Sequence, residues 1–452
     1  MSDTSRQPTL REPMRLIAHF LHLEATGGIV LLISAVVALV WANSPWAESY
    51  FALWQTKLAL TLGDGGLSKT LGHWINDGLM ALFFFVVGLE IKREFLAGAL
   101  ASFRRALLPV AAAIGGMVVP ALLFVALNAG TEAIRGWGVP MATDIAFAVG
   151  VLALVGNRVP DGLKALLLAV AIVDDIGAVL VIALFYTDAI AWSYLGYAAL
   201  GVLALVGANR LGARQPLVYV VVGVFVWLMV LYSGVHATVA GVLVAMTVPA
   251  RRRINTSDFI DRGRAMLERF ETEAAGARSW TIVSSGQQAA LQDLETASRA
   301  VATPLQRMEH ALHPWVAFGI MPLFALANAG VSLVGDLGAS LVHPVSLGIA
   351  LGLVLGKPLG VVLLAWLSVR LGWADLPAGV GWTQVAGVGA LAGIGFTMSL
   401  FITGLAFGGT AFEDLAKIGI LSASLVAGLV GWTLLRVSTG RSQRDDPTAA
   451  PD

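Results

Sequence analysis

The chain has no cysteine, so a disulfide framework, a thiolate metal site and a cysteine nucleophile are all excluded. Charge is scarce too: Asp, Glu, Lys and Arg make up 13% of the residues, against roughly 25% in a soluble domain. The 29 basic residues balance the 29 acidic ones, and this zero net charge argues against a nucleic-acid partner. Nothing at the start reads as a cleavable signal, because Met1 to Met14 is polar and the first apolar run, Ile29 to Val40, continues a longer helix. The remainder is apolar. Hydrophobic residues account for 57% of the chain and the mean hydropathy is +0.79, which points to an all-α polytopic membrane protein.

About twelve hydrophobic segments follow one another, at 15–42, 72–97, 106–128, 133–156, 162–185, 192–208, 216–233, 235–248, 311–333, 342–370, 384–405 and 413–437. An even number places both termini on one side of the bilayer, and the distribution of Lys and Arg decides which side. With the N-terminus in the cytoplasm, all but five of the 29 basic residues fall inside; the exceptions are Lys57, Lys69, Arg135 and Lys417 outside and Lys357 within a span. The expected organisation is a cytoplasmic tail at 1–14, a membrane domain at 15–437 and a cytoplasmic tail at 438–452.

Two connections stand out. At 57–71, Leu58, Leu60 and Leu62 alternate with Ala59 and Thr61, the turn Gly63-Asp64-Gly65-Gly66 follows, and Leu67, Lys69 and Leu71 resume the alternation. This predicts a small external β-hairpin, and since an isolated hairpin is marginal in water, pairing with a second copy of the chain is its expected use. The cytoplasmic loop 251–310 is polar from Asn255 to Thr303, with Leu291, Leu294, Val301, Leu305 and Met308 at helical spacing in its second half. It reads as a solvated helical loop.

Asp174 and Asp175 sit at the centre of the apolar run from Leu163 to Leu184. Either end of that helix is roughly 16 Å away, which puts both carboxylates near the membrane midplane. Burying even one carboxylate at that depth costs at least ~2.5 kcal/mol, and such residues mark ion or proton paths. An interhelical salt bridge is the structural alternative. The fourth segment carries Pro140 and Asp144 in Val139-Pro140-Met141-Ala142-Thr143-Asp144-Ile145; proline frees carbonyls that a membrane tolerates only against protein or a watery cavity. The eleventh has a matching weakness at Gly387, Gly389, Gly393 and Gly395, although glycines also serve close helix packing. Each break lies in the middle helix of a three-span group, at 106–185 and 342–437, the arrangement of inverted repeats with two discontinuous crossing helices. Lys357, in Gly356-Lys357-Pro358-Leu359-Gly360, supplies a midplane cation. A lone ammonium there needs an anion, so Asp144, Asp174, Asp175 and Lys357 are expected to cluster. Paired carboxylates repel, which favours a proton on one of them. Oxygen ligands without sulfur suit a small hard cation. The result is a transporter in which a monovalent cation and protons compete for the same carboxylates.

The runs Ala142-Thr143-Asp144-Ile145-Ala146-Phe147-Ala148, Val173-Asp174-Asp175-Ile176-Gly177, Gly356-Lys357-Pro358-Leu359-Gly360, Gly88-Leu89-Glu90-Ile91-Lys92-Arg93-Glu94 and Ser233-Gly234-Val235-His236-Ala237-Thr238 resemble those of the NhaA sodium/proton antiporters of bacterial inner membranes. That family is itself a standard example of inverted-repeat transporters. The resemblance runs from about Met14 to Arg436, while the polar loop 255–303 and the tail after Arg436 are longer than expected. It implies exchange of cytoplasmic Na+, and of Li+, for external H+, activated at alkaline pH, with no cofactor, in a lipid bilayer; two titrating groups facing one monovalent cation make electrogenic exchange the expectation, and the hairpin makes a homodimer the expected assembly. Asp175 would be the main sodium ligand, with Asp174 its partner and the salt-bridge acceptor of Lys357. Asp144 and Lys357 would balance the half-helix dipoles, with Thr143 beside the site. The family's pH-sensing region maps to Glu90, Arg93 and Glu94 on one helix face, to Glu309, His310 and His313 before the ninth span, and to His236. An interfacial ion-pair cluster is the alternative for the first six, and a structural histidine for His236.

Glu309-His310-Ala311-Leu312-His313 lacks the HExxH order of a zinc site and runs at once into Pro314. Two other functions fit these residues less well. An intramembrane aspartic protease needs two acids sharing a proton, which Lys357 opposes, and its Gly-x-Gly-Asp motif is absent. A sodium-coupled organic-solute symporter of related fold would lack the Asp-Asp and Lys combination.

Overall fold

The computed structural model describes residues 11–442 apart from 63–64, 157–158, 188, 252–253, 276–283 and 334–335. The hairpin turn at Gly63 and Asp64, the basic residues Arg158, Arg252 and Arg253, and the ends of both expected tails lie outside the described residues.

Among the described residues, eight helices are long and apolar enough to cross a bilayer, and three helix pairs bent at a short break bring the number to eleven. The expected eighth span at 235–248 is the shortfall: Thr238–Thr247 has ten residues, about 15 Å and so half a hydrocarbon layer. The helix before it, Pro216–Ser233, stops at Gly234 with φ of 84°, and a side chain there would also meet the Ala189 carbonyl at 2.0 Å. The turn this glycine permits takes up the residues the span was expected to use.

The first bent pair joins Arg11–Ala42 to Ala47–Gln55 through a 113° turn. The buried Tyr50 anchors the short helix, its hydroxyl donating to the Leu326 carbonyl at 2.8 Å and accepting from the Gly330 amide at 3.1 Å. The predicted hairpin is present as β1 (Lys57–Leu62) and β2 (Gly65–Thr70), antiparallel with Leu60 opposite Leu67. It ends one residue early, because Thr70 caps the next helix by accepting from the His73 amide and Leu71 is already helical.

The polar loop folds as two helices that pack on each other, Thr256–Ala275 and Ser285–Val301. Helical periodicity was expected only in the second half, yet Phe259, Gly263, Met266 and Phe270 form a half-buried seam in the first. On the second helix Gln287, Ala290, Leu294 and Ala297 are the buried or half-buried positions at the same helical spacing, and Leu291 faces solvent instead.

The part that holds Asp144, Asp174, Asp175 and Lys357 consists of two groups with the same order of elements. One is Phe103–Asn128, the broken pair Glu132–Met141 and Ile145–Val155, and Asp161–Phe185. The other is the continuous Pro344–Arg370, the broken pair Trp382–Ala392 and Phe396–Phe407, and Phe412–Ser442. The two broken pairs bend by 42° and 45°. Phe103–Asn128 packs along the lysine-bearing helix, and a Cβ on either Gly115 or Gly360 would meet the other's carbonyl at 2.0 Å, so these backbones touch. The second break falls at Gly393 to Gly395, whereas Gly387 and Gly389 are packing contacts against Leu435 and Pro358.

Candidate functional site

Breaking a helix leaves amide donors at the new N-terminus and carbonyls at the new C-terminus. Here the two breaks satisfy each other. The Asp144 amide donates to the Ile394 carbonyl at 2.7 Å, and the Ser399 hydroxyl donates to the Val139 carbonyl at 2.8 Å. Asp144 Oδ1 accepts from the Phe147 amide at 3.0 Å, capping its own half-helix. Asp144 Oδ2 accepts from the Thr397 amide at 3.2 Å and from the Thr397 hydroxyl. One buried carboxylate thus stands at two positive helix ends. The Phe396 amide is satisfied by the Ser424 hydroxyl at 3.1 Å.

On the opposite side of the crossing, Thr143 Oγ1 lies 2.8 Å from the Ala392 carbonyl, the C-terminal end of the other half-helix, and 2.6 Å from Asp174 Oδ2. Its single proton serves one of them at a time. The Lys357 ammonium donates to Thr143 Oγ1 at 2.7 Å and to Asp174 Oδ2. Lys357 and Asp174 are 0% and 1% exposed, so the pair has no solvent to replace either partner. Removing one side of such a pair costs about 3–5 kcal/mol.

Asp174 Oδ1 is buried without a hydrogen-bond partner. Asp175 follows one residue along the helix, turned by about 100°, and lines a cavity of about 50 Å³ together with Thr143, Asp144, Glu90 and His313. That volume holds a few waters or a partly dehydrated cation. Phe83, Met321 and Met398 form apolar walls, which strengthen any charge interaction inside. Asp144, Thr143, Asp174, Asp175 and Lys357 therefore meet at the crossing as expected.

The residues matched to pH sensing divide. Glu90 and His313 belong to the carboxylate cavity. Arg93 forms an ion pair with Glu309 and lies 3.6 Å from Glu94, whose Oε2 accepts from the Ala99 amide at 2.9 Å. His310 is exposed, a turn of about 100° away from the face shared by Glu309 and His313. His236 lies elsewhere, edge-on to Phe401 at 6.1 Å. Glu309, His310 and His313 are not before the ninth helix but within it: Pro304–Trp315 starts it early through a capping box between Thr303 and Gln306.

Sequence reasoning missed Thr397, Ser399 and Ser424. The run Gly395-Phe396-Thr397-Met398-Ser399 placed polar hydroxyls directly after a break, which was a usable signal for the first two. Ser424, which follows Ser422 in an apolar helix with no break beside it, gave none.

Buried charges at crossed broken helices within a polytopic helical membrane protein define a transporter rather than an enzyme. Residues 18–435 match the family described as Na+/H+ antiporter 1, and the chain belongs to that family. It is 54% identical over 420 residues to the Na(+)/H(+) antiporter NhaA of Oleidesulfovibrio alaskensis, covering 92% of this chain and 93% of that one. The Na(+)/H(+) antiporter NhaA of Koribacter versatilis is 52% identical over 427 residues, covering 94% and 92%. The Na(+)/H(+) antiporter NhaA 2 of Syntrophotalea carbinolica is 50% identical over 423 residues, covering 93% and 96%.

Proposed function

We propose that this chain is a secondary active transporter of a bacterial inner membrane that exchanges cytoplasmic Na+, with Li+ as a second cargo, for external H+, serving cytosolic pH and sodium homeostasis. The observation that carries the reading is Asp175 in the wall of the cavity with Thr143 and Asp144, next in sequence to Asp174, whose Oδ1 is buried and unpartnered. Hard oxygen donors of this kind suit a small monovalent cation. In this reading Asp175 is the main ligand, Asp174 alternates between the cation and Lys357, and Thr143 relays the hydrogen bond between them. Asp144 holds the two helix ends in register. Two titrating carboxylates per cation make the exchange electrogenic, two protons for one sodium.

The distribution of Lys and Arg supports cytoplasmic termini, with the hairpin 57–71 outside and the loop 251–310 inside the cell. With the segment 235–248 counted as a crossing through its short helix and the chain on either side of it, the fourth and eleventh of twelve crossings run in opposite directions, in keeping with inverted repeats. The hairpin is the proposed dimer contact. Glu90, Arg93, Glu94, Glu309, His310, His313 and His236 are the proposed pH-sensing groups, acting to raise activity at alkaline pH.

The test uses proteoliposomes with a trapped pH dye and no organic solute. A sodium pulse should move protons where a choline pulse does not, and the rate should respond to an imposed membrane potential. Absence of sodium-dependent proton movement would overturn the exchange; insensitivity to potential would overturn its electrogenic form.

A further inference from the structure

A crevice of about 510 Å³ opens beside the first turns of Phe103–Asn128 and Asp161–Phe185 and the connection that precedes Trp382. It shares no residue with the carboxylate cavity. Its walls are apolar, formed by Leu108, Pro109, Leu166 and Ala169, and its polar groups include Arg104, Arg105 and Asp375. Ala169 lies eight residues beyond Asp161, roughly 12 Å along the helix, so the crevice reaches from the end of the spans to the depth of acyl chains. Arg104 and Asp375 are 3.5 Å apart, and their side chains are 83% and 82% exposed. An exposed pair of this kind contributes little and leaves the crevice unfilled. Arg105 makes no ion pair among the described residues. Two guanidinium groups against one carboxylate leave the crevice with a positive balance.

We propose that this crevice binds an anionic phospholipid, with its phosphate on Arg104 and Arg105 and an acyl chain along Leu108, Pro109, Leu166 and Ala169. Guanidinium groups at headgroup level above an apolar slot between helices match both parts of such a lipid. A soluble anion would use the arginines and leave the slot empty; a neutral lipid would do the reverse. The occupant touches both three-span groups, through the start of the helix that carries Asp174 and Asp175 and through the connection after the lysine-bearing helix. The leaflet, cytoplasmic, rests on the orientation proposed above, whereas occupancy itself does not.

Because the chain has no cysteine, Ala165→Cys places a single thiol at the crevice, where Ala165 is exposed. Maleimide labelling of the purified full-length protein in detergent should slow when phosphatidylglycerol is added, and not with phosphatidylcholine or glycerol phosphate. Arg104→Gln with Arg105→Gln should weaken that protection about thirtyfold, from roughly fivefold per basic residue near an anionic headgroup, while lysines at both positions keep most of it. Arg210→Gln with Arg214→Gln, in the separate basic cavity they line with Arg251, should leave it unchanged. Should the cysteine variant fail to fold, phosphatidylglycerol retained by the cysteine-free protein in native mass spectrometry gives the same comparison. Equal protection by phosphatidylcholine, protection by glycerol phosphate alone, or unaltered protection in the glutamine variant would each overturn the proposal. Since the measurement is made in detergent, a wrong leaflet assignment would appear only as labelling from the opposite face in vesicles.

Discussion

Asp144 and Thr397 belong to different broken helices and are joined twice, amide and hydroxyl of the threonine both donating to Asp144 Oδ2. Since Oδ1 of the same carboxylate caps the aspartate's own half-helix, one side chain fixes the position of two helix N-termini. Displacement of one half-helix therefore acts on the other through this buried charge as well as through the backbone contacts of the crossing.

Thr397→Val tests this coupling, because it removes the hydroxyl at nearly constant volume and leaves the amide bond in place. A hydrogen bond to a charged group contributes about 1.5–3 kcal/mol, so the purified protein should melt several degrees lower in detergent. Exchange should continue at reduced rate. An unchanged melting temperature would show that Asp144 is held by the amides alone.

Asp175→Asn should abolish sodium/proton exchange while leaving the protein inserted and folded, since Asp175 faces the cavity and the structural ion pair belongs to Asp174 and Lys357. Lys357→Ala should act differently. It strands the buried Asp174 carboxylate, and loss of stability of about 3–5 kcal/mol is expected. Full exchange by a folded Asp175→Asn protein would remove it from the ion path.

How much of this was legible beforehand depends on the range of the interaction. Composition and hydrophobic runs defined the spans, because a bilayer forces every backbone polar group into internal pairing. The midplane positions of Asp174, Asp175 and Lys357 announced a cluster for the same reason. Thr397 and Ser424 were not legible as partners, since the contacts span 253 residues between Thr397 and Asp144 and 28 between Phe396 and Ser424. Likewise the split of His310 from His313 follows from helical phase, which became readable only once the helix was seen to start at Pro304. The helix Thr238–Thr247 is shorter than the apolar run 235–248 because such a run does not show where the helix within it begins and ends.

The hairpin gives a third prediction. Its two strands offer unpaired edges, while the proposed ion site is built from residues of one chain. Deleting Leu60 to Lys69 should therefore convert dimers to monomers and retain some transport. Size-exclusion light scattering at low protein concentration decides this; a truncated protein that stays dimeric would move the interface elsewhere.

The last prediction concerns pH. Arg93 and Glu309 tie the helix Leu71–Ala97 to the helix Pro304–Asn328, and both helices contribute to the wall of the carboxylate cavity through Glu90 and His313. The ion pair requires an ionised Glu309, so it is present at high pH and is lost as falling pH protonates that carboxyl, the same sign as the proposed activation by alkali. Glu309→Gln fixes the uncharged form and should blunt alkaline activation, whereas Glu94→Gln and His313→Ala should move the pH profile with a modest loss of maximal rate. The competing account is that protons and sodium simply compete at Asp174 and Asp175, in which case saturating sodium erases the acid-side inhibition. Rates measured against pH at limiting and saturating sodium separate the two. If saturating sodium removed the inhibition and all three variants kept the parent profile, the contact between these helices would have no part in sensing, and the pH dependence would belong to the midplane carboxylates alone.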